Sequence, residues 1–398
     1  MRKSTQNHFE FIALMAALMS IVALSLDALL PALEIIGIAV GNTDAASNQL
    51  LITLFFLGMG SGPLLFGPLS DSVGRKPVVY IGFGLFMASS LICISAVSLP
   101  WMIAGRILQG ASLSAPRTIS IAMIRDRFSG DYMARIMSFV TVVFLLVPVI
   151  APALGKIVMD IWNWKAIFYL QVIIAGIVCF WFWKRQPETL PKEKRSGFKA
   201  ITILRGFKAV LSFRRTILFT VIWGLITGAF LVYLSTSQQI FEVQYDLKEH
   251  FPILFAGLAI SIGTATFLNG SLVLKFGMRK LIIWALFAFT GISLIYTLLF
   301  YDAVNPNIAI LMLFLGLQFF AVGFLFGNLR SMAMEPLGHI AGVGAAITGF
   351  LATAMSVPIS AWIGHFVTTS ALPLFLGFLI CGLLSLMLLA IAEYRPRA

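Results

Sequence analysis

The sequence predicts an all-α membrane protein with twelve transmembrane helices arranged as two six-helix, pseudo-symmetric bundles. Three observations predict it. Hydrophobic residues make up 60% of the 398 and charged residues 11%, with a mean hydropathy of +0.97; an average soluble domain is about 45–50% apolar and about 25% charged. Twelve apolar runs are each long enough for a bilayer core about 30 Å thick, which takes about 20 helical residues. Punctuating residues in the first six runs recur in the last six at offsets of 203 to 210.

The first-half runs cover 11–32, 49–70, 77–97, 100–122, 136–157 and 166–183, and the second-half runs cover 216–238, 251–273, 280–300, 308–329, 339–364 and 372–392. Charge, Pro, Gly or Asn bounds each. The first run follows Arg2 and Lys3, exceeds a signal-peptide core in length and has no A-x-A-like cleavage site after it, so it is expected to stay as a helix. The fifth contains Pro148, Pro152 and Gly155, and the eleventh contains Pro358 and Gly364. Proline removes an internal hydrogen bond and glycine thins the helix, which suits either a bending gate or a fixed packing kink. Cys93, Cys179 and Cys381 lie inside apolar runs and read as small hydrophobes.

The basic residues set the orientation. Threading twelve helices from an inside N-terminus leaves three of the 28 Lys and Arg outside (Lys156, Lys165, Lys248) and two inside a run (Arg106, Arg117). The other 23 fall on the inner side, so both termini are expected to be cytoplasmic. This bias also accounts for the net charge of +12 without a nucleic-acid partner. Residues 184–215 hold ten of those 23 and read as a linker on the membrane surface between an N-terminal bundle (1–183) and a C-terminal bundle (216–398).

The duplication rests on matched positions. Gly67 and Gly74 follow the second run as Gly270 and Gly277 follow the eighth, each pair 203 apart; Gln109 matches Gln318 at 209 and Pro148 matches Pro358 at 210. Both halves start inside, so the repeats are parallel, an arrangement that encloses a midplane cavity and works by rocking.

The string GPLSDSVGRKP (Gly67 to Pro77) is the most specific signal. Gly67 and Gly74 would permit close backbone approach, Asp71 would face the positive end of a neighbouring helix, and Arg75 and Lys76 would anchor the cytoplasmic face or simply mark topology. The string resembles the loop between helices two and three of the major facilitator superfamily. LSLDALLPAL (Leu24 to Leu33), RILQG (Arg106 to Gly110), IRDRF (Ile124 to Phe128), RIMSF and VPVIAPALG (Arg135 to Gly155), PETLP (Pro187 to Pro191) and HIAGVGAA (His339 to Ala346) further resemble its Bcr/CflA-type (DHA1) drug:proton antiporters. The resemblance implies a proton-coupled exporter of drugs or related small molecules in a bacterial inner membrane, working by alternating access. It also implies a loop that holds the outward-facing state, with Asp71 contacting the start of the eleventh helix and a loop arginine. The second half departs from the pattern, with Leu274 at the place of Asp71 and Met278 at that of Arg75.

Ionised groups inside a bilayer cost at least about 2.5–3.5 kcal/mol on insertion scales, so Asp27 and Arg106 stand out. Each lies five or six residues from the outer end of its run, hence at similar depth. Asp27 is expected to carry the proton, taking it up when unpaired and releasing it when Arg106 or water approaches; a permanent Asp27–Arg106 structural pair is the competing reading. Arg117, three turns further on, faces the inner cavity mouth or snorkels. With both arginines in the cavity, neutral, zwitterionic or anionic cargo would be favoured. Tyr233 and Gln318 join Asp27, Arg106 and Arg117 as cavity candidates, because a buried hydroxyl or amide needs a partner. Glu34 reads as an exposed helix-end carboxylate, and Glu242, Asp246, Glu249 and His250 as a solvated loop rather than a metal site.

No G-x-x-x-x-G-K-[ST] or H-E-x-x-H string occurs, which argues against an ATP-driven pump or a metalloenzyme. No cofactor is expected beyond the proton as coupling ion, and the partners expected are a small-molecule substrate, protons and the lipid bilayer, with the chain acting as a monomer. The competing function on the same fold is a siderophore or metabolite exporter or a nutrient carrier.

Overall fold

The computed structural model describes residues 8–195, 197, 200–302 and 304–393. The topology signals Arg2, Lys3, Lys199, Arg395 and Arg397 lie outside the described residues. The described residues are mostly helical, and no strand occurs among them. In order the helices are α1 (His8–Asp27), α2 (Leu33–Ala39), α3 (Ala45–Val73), α4 (Arg75–Ile94), α5 (Leu99–Arg127), α6 (Gly130–Ile161) and α7 (Trp164–Arg185). They continue as α8 (Ala200–Ser212), α9 (Arg214–Gln238), α10 (Phe251–Phe276), α11 (Met278–Leu299), α12 (Ile308–Met334), α13 (Ala341–Phe366) and α14 (Leu372–Glu393).

Ten stretches among the described residues are long and apolar enough to cross a membrane, α1 and α2 counting as one, His8–Ala39. Helices α5 and α6, 29 and 32 residues long, occupy the two remaining places predicted from sequence. Polar residues lower the hydropathy of α5: Arg106, Gln109, Ser112, Ser114, Arg117 and Ser120 all lie within it. Several helices begin at side-chain caps. Asp44 accepts from the amides of Ala46 and Ser47, Asn163 from Ala166 and Asn307 from Ala309, each satisfying a donor that the first turn leaves open.

The first run differs from its expected form. A continuous helix over 11–32 was predicted, but α1 stops at Asp27, a turn at Ala28 and Leu29 follows, and a 3₁₀ segment (Leu30–Ala32) leads into α2. Pro31 is the physical cause. It has no N–H to give to the carbonyl of Asp27, four residues earlier, and its ring disfavours a regular helix there. At the far end of α9 the chain widens into a π-helical turn, Gln239–Gln244. Glu242 sits in that turn and is 7% exposed, receiving a hydrogen bond from Gln238 Nε2 at 3.0 Å, so it is not the solvated loop residue expected.

The chain divides into two units, Met1–Ile201 and Thr202–Ala398. The division falls within α8, inside the segment read as a separate linker. In the first unit α5 packs on α3, α4 and α1, while α1 also packs on α6 and α7, and α7 on α4. In the second unit α12 packs on α10, α11 and α9, while α9 also packs on α13 and α14, and α14 on α11. The two internal layouts correspond helix for helix, so the duplication inferred from offsets extends to the packing itself.

Glycines make the tightest of these contacts possible. A Cβ at Gly110 would overlap the Phe55 carbonyl on α3, and one at Gly82 would come within 2.9 Å of the Ser112 carbonyl on α5. Close approach at small residues is how membrane helices gain contact where lipid supplies no hydrophobic drive.

Candidate functional site

Two polar groupings stand out in the first unit. One surrounds the loop between α3 and α4. Gly74 ends α3 with φ of 108°, a backbone that suits glycine, and a Cβ there would meet Glu188 and Arg195 side chains at 2.7 and 2.8 Å. Gly277, 203 residues later, repeats the positive φ at 81°. Gly67 behaves otherwise: among the described residues no atom lies within 4 Å of a Cβ placed there, so the close approach expected of it does not occur among them.

Arg75 is more than a topology mark. It is 6% exposed, and its guanidinium donates to Asp126 Oδ2 at 2.9 Å, Asp71 Oδ1 at 2.6 Å and Ser70 Oγ at 2.7 Å. Asp71 thus pairs with Arg75 at the start of α4, one helical turn away. Lys76 stands about 6.0 Å over the rings of Tyr80 and Phe182. Glu188, from the PETLP string, closes the network. Its carboxylate accepts from the amides of Arg75 at 3.1 Å and Lys76 at 3.0 Å, and from those of Thr189 and Leu190. A carboxylate at a helix start satisfies open donors and meets the positive end of the dipole. Thr189 Oγ1 adds a bond to Asp126. The chain after α7 is therefore fastened to this loop.

The second grouping lies within the helices. Arg106 is fully buried; it donates to the carbonyls of Leu51 and Ser25 at 3.1 Å each and to Gln109 Oε1 at 2.8 Å, and it stands 4.4 Å from the Phe55 ring centre. Carbonyl dipoles and a ring face spread the stabilisation of a charge that, among the described residues, has no carboxylate bonded to it. Its Nη2 has no partner among the described residues. Gln109 passes the network on to Ser90 at 2.8 Å, and Ser25 Oγ donates to Gln171 Oε1 at 3.4 Å. Ser25 therefore ties α1 to both α5 and α7.

Asp27 is 3% exposed and ends α1 at the break, and its carboxyl pairs with no described residue. Asp27 and Arg106 share a neighbourhood through Ser25 but form no ion pair, so the permanent structural pair is absent from this arrangement. Residues two apart on a helix point to different sides, which separates Asp27 from the Ser25 contacts.

The remaining candidates fall into place by element. Arg117 is half-buried on α5, donating to Met59 Sδ on α3. Tyr233 is 2% exposed on α9, its ring centre 4.5 Å from that of Phe319 and stacked at 6.0 Å on Phe255. Gln318 is fully buried on α12 and donates to Phe289 O and Ser293 Oγ on α11. Pro148 and Pro152 lie inside α6 and Pro358 inside α13. Gly155 abuts the backbone of Ala28, next to Asp27. Glu34 is exposed on α2.

Sequence reasoning missed Ser25, Gln171, Asp126 and Glu188. Ser25 and Gln171 carried a signal, being polar residues within apolar runs. Asp126 and Glu188 lay within the IRDRF and PETLP strings, but their roles did not show, because a cap on a helix 112 residues away leaves no spacing to read.

The second unit keeps only the glutamine–serine bond of the buried grouping, Gln318 to Ser293, with Leu315 at the place of Arg106, and it lacks the loop network. Leu274, at the place of Asp71, is 89% exposed, and Met278 replaces Arg75, so the ion pairs have no copy. Glu335, 209 residues after Asp126, pairs instead with Arg215 at 3.2 Å.

Comparisons with known proteins agree with this architecture. The family model described as Major Facilitator Superfamily matches residues 13–354. The chain is 28% identical over 402 residues to the "Bicyclomycin resistance protein homolog" of Haemophilus influenzae, covering 97% of this chain and 96% of that protein. It is 27% identical to "Multidrug resistance protein MdtL" of Shigella dysenteriae serotype 1, covering 90% and 89%. Among solved structures, a D-xylose-proton symporter superposes with a TM-score of 0.71 at 15% identity over 95% of this chain and 97% of that one. The human organic anion transporter MFSD10 gives 0.66 at 17% over 96% and 97%. These last two show likeness of fold.

Proposed function

The chain belongs to the Major Facilitator Superfamily, and from that premise we propose that it is a proton-coupled exporter of drugs or related small molecules. It works by alternating access in a bacterial inner membrane, with both termini cytoplasmic. Relatives named for bicyclomycin and multidrug resistance, matched over nine-tenths or more of the chain, support the export of drugs. The Lys and Arg bias supports the orientation.

The observation that carries proton coupling is Asp27: a carboxyl 3% exposed, at a helix break, without a partner among the described residues. A neutral acid is the form such a site holds at least cost, whereas the carboxylate needs water or a cation. Proton uptake at Asp27 from outside then favours one conformation, and release to the cytoplasm with cargo binding favours the other. The membrane potential adds about 2.3 kcal/mol per charge per 100 mV to each inward proton. Arg106 serves as the fixed positive charge that a deprotonated Asp27 meets when α1 shifts.

Inverted membrane vesicles test this reading. With an imposed pH gradient, acid inside, vesicles holding the protein should accumulate bicyclomycin or ethidium, and collapse of the gradient should release it. Accumulation of neither probe under the gradient, with uptake of a nutrient in the opposite direction, would establish a carrier instead.

A further inference from the structure

The break at Asp27 is held from outside α1. Gly155 of α6 lies so close to it that a Cβ would overlap the Ala28 carbonyl oxygen and come within 2.7 and 2.9 Å of the Ala28 carbonyl carbon and Cα. All three atoms are backbone, so no side-chain rotation relieves the contact. Gly58 and Gly110 make similar approaches, but onto regular helices α5 and α3 whose backbone bonds resist displacement. Gly155 instead meets the turn between α1 and the 3₁₀ segment, where Pro31 offers no N–H to the Asp27 carbonyl. Pushing on that turn moves the residue beside it. Helix α6 is itself loosened there, since Pro152, three residues earlier, gives no N–H to the carbonyl of Pro148.

We propose that Gly155 is a positioning residue for Asp27: it bears on the Ala28 carbonyl, fixes the α1 break and so sets where the Asp27 carboxyl lies. The role rests on the reading of Asp27 as proton carrier for its meaning, but its geometry does not. It makes α6 the element that senses or imposes the state of the proton site, so that bending at Pro148 and Pro152 and proton occupancy of Asp27 are mechanically one event. On the elements around this turn, α5 carries Arg106, held by Ser25, Leu51 and Gln109, with Arg117 and then Arg125, Asp126 and Arg127 further along; α6 carries Lys156, bonded to Asp160 at 3.3 Å, with Asp131 and Arg135 in its first turns; α7 brings the neutral Gln171 between Lys165 and the pair Lys184 and Arg185; α1 has Glu10 in its first turn, bonded to Arg185, and Glu34 of α2 is exposed.

The test is an infrared pH titration of the full-length protein in lipid, following the carboxyl band that Asp27→Asn removes. Gly155→Ala is expected to move its midpoint by about one pH unit, a tenfold change in proton affinity, whereas Gly84→Ala, whose Cβ meets open space, leaves it in place. A folded Gly155→Ala protein with an unmoved midpoint overturns the proposal. Should Gly155→Ala fail to fold, solid-state NMR of the wild type, labelled at glycine Cα and alanine carbonyl, decides: the Gly155–Ala28 contact should change through the same titration, and a constant contact overturns the proposal. If Asp27→Asn leaves cargo-driven proton movement intact, the carrier reading fails, while the infrared and NMR results still judge Gly155.

Discussion

Gln109 and Gln318 stand 209 residues apart and make the same bond: each donates its amide to a serine on the neighbouring helix, Ser90 at 2.8 Å and Ser293 at 2.9 Å. Their acceptor oxygens differ. Gln109 Oε1 receives Arg106, whereas the residue at the matching place in the second unit is Leu315, and Gln318 Oε1 is left without a partner among the described residues. The duplication has kept the scaffold and placed the buried charge in one half only.

That asymmetry sets unequal costs. Gln109→Leu strands a charged donor and should lower stability by about 1.5–3 kcal/mol, while Gln318→Leu breaks neutral bonds worth about 0.5–1.5 kcal/mol. Thermal melting of the two purified variants checks the order, and equal losses would count against it.

Arg75 should not tolerate lysine. Its planar guanidinium serves Asp126, Asp71 and Ser70 together, and an ammonium keeps the charge but not the fork. Arg75→Lys is expected to keep its place in the membrane yet lose most transport and about 1–3 kcal/mol of stability. Wild-type transport by this variant would reduce Arg75 to a topology signal.

Glu188→Ala should free the chain after α7. Losing a helix-start acceptor costs about 0.5–2 kcal/mol, and limited proteolysis within residues 189–195 should accelerate. Glu188→Gln, which keeps one acceptor oxygen, should fall between the two.

Gly74→Ala and Gly277→Ala form a matched pair. Both hold a positive φ with extended ψ, a region that costs an L side chain about 1–3 kcal/mol, but only Gly74 also faces Glu188 and Arg195. Melting temperatures should therefore drop further for Gly74→Ala.

Much of this was legible in the sequence, and the boundary is physical. Apolar runs and offsets gave the helices and the repeat, because lipid forces every backbone group into regular structure and duplication leaves spacing behind. Asp27 and Arg106 were visible as charges where charge is costly. Their separation was not, since rotation about each helix decides which side chains meet. The break at Asp27 was within reach through Pro31, but the glycine that meets it, Gly155, lies 127 residues beyond Ala28 with no pattern joining them. Gly67, read as a close-approach glycine, faces open space, because a motif records which residue stands at a position and not which neighbour it touches.

The central claim is that Asp27 carries the coupled proton, and proton release during cargo binding measures it most directly. Detergent-solubilised protein in weakly buffered solution, mixed with bicyclomycin or ethidium, should release protons in proportion to probe bound. Asp27→Asn should still bind the probe and release none. Undiminished release from Asp27→Asn would contradict the account.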